Sequence, residues 1–173
     1  MIARTFTILA PRILGRDLAD EGRGATCARI LNTAAATFMA CLHLARCGFR
    51  LQYMALSRNV IETTCTVFHL MVEPSALREF HAGRLKSTKS ISFANKVIPG
   101  FGKIYGELSN QFVHVGTMHS SLNPVKAYNE SEEPLSVIRS SMKMIAWLLY
   151  VAAELGPVVN YPPQPLATGE PVW

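Results

Sequence analysis

The chain has 173 residues, 49% of them hydrophobic and 17% charged, with a formal net charge of +5. That length is one domain's worth and can bury a substantial core, and so apolar a balance leaves surface that a second copy would partly cover. The cysteines at 27, 41, 47 and 65 form no CxxC and fall in segments that read as helix, which excludes a disulfide framework and points to reduced thiols in a cytoplasmic protein.

The opening segment, MIARTFTILAPRILGRDLADEG, holds a short apolar run broken by Pro11 and makes a poor signal peptide. Ala25 to Arg46 then reads as a long helix whose alanines at 28, 34, 35, 36, 40 and 45 allow a neighbour to approach closely, and Gly48 ends it. Leu51 to Val72 follows after a very short connection, so the two should form an antiparallel hairpin. This second helix is apolar almost all round and belongs in the middle of a bundle. Glu73-Pro74-Ser75 breaks it before a third helix from about Ala76 to Val97. Pro99-Gly100-Phe101-Gly102 punctuates the chain again, and a fourth helix runs from Lys103 through His114. A polar loop from Gly116 to Glu133 leads to Pro134. From there Leu135, Ile138, Met142, Ile145, Leu149 and Ala152 mark an amphipathic fifth helix ending near Gly156-Pro157.

Nothing alternates like a strand for long. The expected fold is therefore all-α, an antiparallel bundle of about five helices filling one domain over residues 1–160, with a proline-rich tail over 161–173. The most membrane-like stretches, Ala25 to Ala45 and Met144 to Ala153, are better explained as buried helices than as spans, so no membrane partner is expected.

The second helix carries only two formal charges, Arg58 and Glu62. At about 100° per residue, Arg58, Glu62 and His69 fall on one stripe. An unpaired ion in a buried helix costs several kcal/mol, so the two must be paired with each other and with something else. Arg placed four residues before Glu is the less favourable order for a local pair, which suggests that each reaches across to another helix. The expectation is that both are mostly buried and linked to the fourth helix through Ser109, Asn110 or His114. Such a network is either a structural polar cluster or a site.

Charge is uneven elsewhere. From Ser75 to Lys103 there are six cations, Arg78, Arg84, Lys86, Lys89, Lys96 and Lys103, against Glu79 alone, so this stretch carries the whole net charge of +5. It is either an anion or nucleic-acid surface or the solvated face of an amphipathic helix. His43 and Cys47, and Cys65 and His69, are each spaced four apart. A joint metal site fails because the two pairs would lie roughly 20 Å apart along a hairpin at ~1.5 Å per residue. No metal and no cofactor are expected, and neither a nucleophile elbow nor a phosphate-binding glycine loop is present.

The Arg58-x-x-x-Glu62 pair, followed some fifty residues later by Tyr105, Leu108, Ser109, Val113 and His114, resembles a group of bacterial helical proteins of unknown function distantly related to HEPN domains. The resemblance spans roughly Ala25 to Ala152. HEPN domains are small helical bundles, often dimeric, and many are metal-independent RNases with an Arg and a His a few residues apart on one helix. Thr63, Thr64 and Cys65 occupy the corresponding places here and His69 is too distant. The spacing from Ser109 to His114 is one residue longer than the pattern, which a π-bulge near Gln111 would absorb.

The resemblance implies a protein, a homodimer, that binds RNA or a nucleotide and can cleave RNA. Arg58 would stabilise charge developing on phosphate, His114 would be general acid or base, and Glu62 would orient Arg58. Ser109, Asn110, His69, Arg84 and Lys86 would contact the substrate. The alternative is a non-catalytic interaction or scaffold bundle whose polar cluster fixes helix register.

Overall fold

The computed structural model describes residues 22–113, 116, 119 and 133–160. The proline-rich tail, His114 and most of the polar loop therefore lie outside the described residues. Within them the chain forms six α-helices, one π-helical segment and no strand, the all-α bundle that the apolar spacing predicts.

The first two helices, α1 (Arg23–Arg46) and α2 (Arg50–Val72), form the hairpin. Gly48 turns the chain at φ 80°. The Phe49 N–H then reaches the Leu44 carbonyl at 2.8 Å and the Gly48 N–H that of Ala45 at 3.1 Å. This pair of bonds closes the helix end that only a residue tolerant of the left-handed region can make cheaply. As its nearly unbroken apolar surface predicts, α2 touches every other described helix, and Tyr53, Val60, Cys65, Val67 and Leu70 on it are fully buried. By length and composition α1 could cross a membrane, yet its inner side, with Leu31, Phe38 and Cys41 buried, packs along α2.

The sequence expects one third helix, and the chain makes two: α3 (Pro74–His81) and α4 (Ser87–Val97). The break is at Gly83, at φ 66°. There the Arg84 N–H bonds the Glu79 carbonyl and the Gly83 N–H the Phe80 carbonyl, each at 2.9 Å. A β-carbon at Gly83 would meet nothing within 4 Å, so the backbone angle alone calls for glycine. A single glycine without a neighbouring proline is enough to end a helix.

Asn95 then builds the next start. Its Oδ1 accepts from the backbone N–H groups of Gly100 and Gly102, each at 3.0 Å, while Gly100 sits at φ 109°. Helix α5 (Phe101–Leu108) follows and places buried Phe101 edge-on to Phe68 of α2, with ring centroids 6.5 Å apart. It runs directly into a π-helical segment, Ser109–Val113. The last helix, α6 (Glu133–Asn160), lies against α1 and α2 through Ile138, Ile145, Leu148, Leu149 and Ala152. The Tyr53 hydroxyl ties it to α2 by a 2.6 Å hydrogen bond with Ser141 Oγ. It passes through Gly156-Pro157 instead of ending there. An interior proline forfeits one backbone hydrogen bond and strains the turn before it, a local cost that does not by itself set where a long helix stops.

Candidate functional site

Arg58 and Glu62 sit one turn apart on α2, where α5 crosses it. Arg58 Nη2 lies 3.6 Å from Glu62 Oε2, and the two side chains are 27% and 25% exposed. The same Nη2 donates a hydrogen bond to the Tyr105 hydroxyl of α5, and the guanidinium carbon lies 4.8 Å from the centroid of the Tyr105 ring. Arg58 thus combines an ion pair, a charge-assisted hydrogen bond and a cation–π contact. Its Nε is buried and has no hydrogen-bond partner among the described residues.

Both side chains are about three-quarters covered; arginine lays its aliphatic stem along the apolar helix and carries its charged head to the edge. One feature differs from the sequence expectation. The link to α5 is made by Tyr105 and not by Ser109 or Asn110, which are half-buried and exposed respectively. Tyr105 was visible in the sequence as a hydroxyl-bearing aromatic beside the apolar Ile104 and Leu108. Which residue of α5 meets Arg58 depends on the crossing point of two helices, and no local pattern encodes that. The π-helical turn expected near Gln111 is present as Ser109–Val113. It begins one helical turn after Tyr105, and such turns are frequent beside functional sites. His114 lies outside the described residues.

His69 is not brought to this cluster. It is eleven residues beyond Arg58 on the same helix, roughly 16 Å along the axis, and is buried at 3% exposure. Its Nδ1 lies 3.2 Å from Ser90 Oγ and its ring stacks on Phe93, with centroids 4.5 Å apart and planes 18° from parallel. These contacts dock α4 onto α2. Burial holds the imidazole pKa below its ordinary value, nearby Lys89 adds to the shift, and Glu73 and Glu79 oppose it. A neutral buried imidazole contributes stability that is intact above the unfolded value of about 6.5 and is lost as pH falls from there towards the lower folded value.

The melting temperature should accordingly fall between about pH 7.5 and about pH 5.5, and the fall should flatten in His69→Gln. Glu73 and Glu79 do not contribute in this window. The Ser75 side chain and N–H lower the first and Lys89 lowers the second, both from an ordinary 4.5, so their share is lost only at more acid pH.

Arg84 and Lys86 are exposed in the connection between α3 and α4. They precede Ser90, which touches His69, so they belong to that end of α2 and are not assembled around Arg58. Arg78 and Lys96 are exposed as well. Lys89 is taken up by Glu79 at 2.8 Å, and Lys103 lies 4.0 Å from Glu107.

Chemically, the Arg58 cluster can hold an oxyanion at a guanidinium that Tyr105 and Glu62 keep in one orientation. No protein-family model, curated protein or solved structure significantly matches the chain.

Proposed function

We propose that the protein is a HEPN-like RNA-binding bundle, a cytoplasmic homodimer, that holds an RNA phosphate at Arg58 and cleaves RNA without a metal. The observation that carries the reading is a cation fixed at a helix crossing yet left about one-quarter exposed, where a sealed structural pair would be closed to solvent. The π-helical turn on the helix that supplies Tyr105 and the exposed cations Arg78, Arg84, Lys86 and Lys96 also support it, the latter as contacts that position a strand without reading its sequence. Arg58 stabilises charge on the phosphate, Glu62 and Tyr105 orient Arg58, and His114 acts as general acid or base. Ser109 and Asn110 provide hydrogen-bonding support to the substrate. Exposed Met39, Trp147 and Tyr150 supply apolar surface for a second copy.

A second reading is favoured by Arg58 Nη2 being shared between Glu62 and Tyr105. On that reading the cluster only fixes the register of α2 against α5, in a non-catalytic scaffold protein. Incubating labelled single-stranded RNA with the protein and a chelator separates them. Cleavage that persists with chelator and disappears in His114→Ala is expected, whereas intact RNA together with absent RNA binding would favour the scaffold.

A further inference from the structure

Helix α5 carries Tyr105 to Arg58, yet no polar side chain of its own caps its start. The N-cap is Gly100, which makes no side-chain cap bond, and the first turn holds no acidic residue. The four leading N–H groups of a helix have no partner within it. At this end the N–H groups of Gly100 and Gly102 are taken by Asn95 Oδ1, each at 3.0 Å. The bond to Gly102, the second residue of α5, is the one an N-cap side chain ordinarily makes. Here it comes from the preceding helix.

Asn95 is itself held in place. It follows Ala94, which is buried with Ser90 and Ile91 on the inner face of α4, and Ser90 and Phe93 engage His69 of α2. On the other side of the junction Phe101 is buried edge-on to Phe68, while Ile104 and Leu108 are only partly buried against the core. Apolar contact is non-directional. A helix of eight residues anchored by such contacts alone can tilt about Phe101, and the Asn95 bonds supply the directional point that sets its axis. Tyr105 lies about one turn beyond Gly102, so a change of tilt is carried to its ring.

We propose that Asn95 is a positioning residue for the Arg58 site, fixing Tyr105 against the guanidinium through its two hydrogen bonds to the start of α5. The Tyr105 hydroxyl accepts from Arg58 Nη2 and its ring lies 4.8 Å from the guanidinium carbon, contacts that depend on direction as well as distance. Arg58 Nε has no hydrogen-bond partner among the described residues, so Tyr105 and Glu62 set the orientation of the head. Without the Asn95 oxygen, Tyr105 leaves Arg58 for part of the time. The consequence for RNA rests on the phosphate-binding role proposed above: a site competent for part of the time binds in proportion.

The Arg58 side-chain NMR signals of the full chain, Nε–H and δ-methylene, test this without RNA. They are assigned by their loss in Arg58→Lys and displaced by the ring current of Tyr105. Asn95→Ala should move them towards their positions in Tyr105→Leu. Asn95→Asp, which keeps an acceptor oxygen, should return them to the wild-type positions. Asn95 is exposed, and unchanged far-ultraviolet circular dichroism establishes that each variant is folded. In the same series RNA affinity should fall by up to about fivefold in Asn95→Ala, as for a lost helix cap, and recover in Asn95→Asp. A purely structural cap lowers the melting temperature without moving signals of the folded protein. Unmoved signals in Asn95→Ala, or displaced ones that Asn95→Asp does not restore, therefore overturn the proposal. Signals displaced and restored in a protein that binds no RNA uphold the positioning role and remove the RNA-binding reading instead.

Discussion

Arg58→Ala should lower stability by only about 1–2 kcal/mol while weakening RNA binding by on the order of tenfold or more. The stability cost is small because the partners it leaves are not stranded. Glu62 is one-quarter exposed and regains water, whereas breaking a sealed pair costs about 3–5 kcal/mol. The binding cost is large because a phosphate loses a charge-assisted, oriented donor. Arg58→Lys keeps the charge without the planar group that lies against Tyr105, so it should restore only part of the affinity. Thermal melts and RNA titrations on the same preparations check this. A loss of 3 kcal/mol or more in Arg58→Ala, with RNA binding unaffected in a folded Arg58→Lys, would identify the cluster as a register device.

The largest stability effect belongs to the core. Phe38 on α1 is fully buried, and its neighbours on the same helix face, Ala34, Ala35 and Cys41, are too small to collapse into the space a removed ring would leave. Phe38→Ala should therefore cost about 3–5 kcal/mol, read as a shift in urea midpoint at unchanged slope. Met39, the next residue, is 51% exposed, and Met39→Ala should stay within about 0.5 kcal/mol. Equal effects at the two positions would place α1 in a different rotation from the one described.

That contrast also shows what a sequence can convey. Apolar spacing identified α2 as the central helix, and Gly48 as the turn of the hairpin, because both are consequences of local pattern and backbone freedom. Gly83 has the same backbone role as Gly48, but with basic residues continuing on both sides of it the segment reads as one amphipathic helix. The link between His69 and the cluster failed for a geometric reason. A helical wheel places Arg58, Glu62 and His69 on one stripe, but it projects away the axis, along which His69 is roughly 16 Å distant. Tyr105 belonged to the quoted motif, yet its contact with Arg58 arises from how α5 crosses α2 and becomes visible only in three dimensions.

If the cluster at Arg58 and the cations near α4 serve a polyanion, as proposed, RNA binding must depend on salt. The most direct measurement is a filter-binding titration of the wild-type protein against mixed single-stranded RNA, repeated over a series of salt concentrations. Retention at low salt is expected, with affinity falling on a log-log slope of roughly −0.7 per phosphate contacted. The slope should become shallower in Arg84→Glu and Lys86→Glu, which should stay folded because both side chains are exposed. Absence of retention at protein concentrations of about tens of micromolar, well within reach of non-specific nucleic-acid binding, would contradict it and leave the basic stretch as a solvated face.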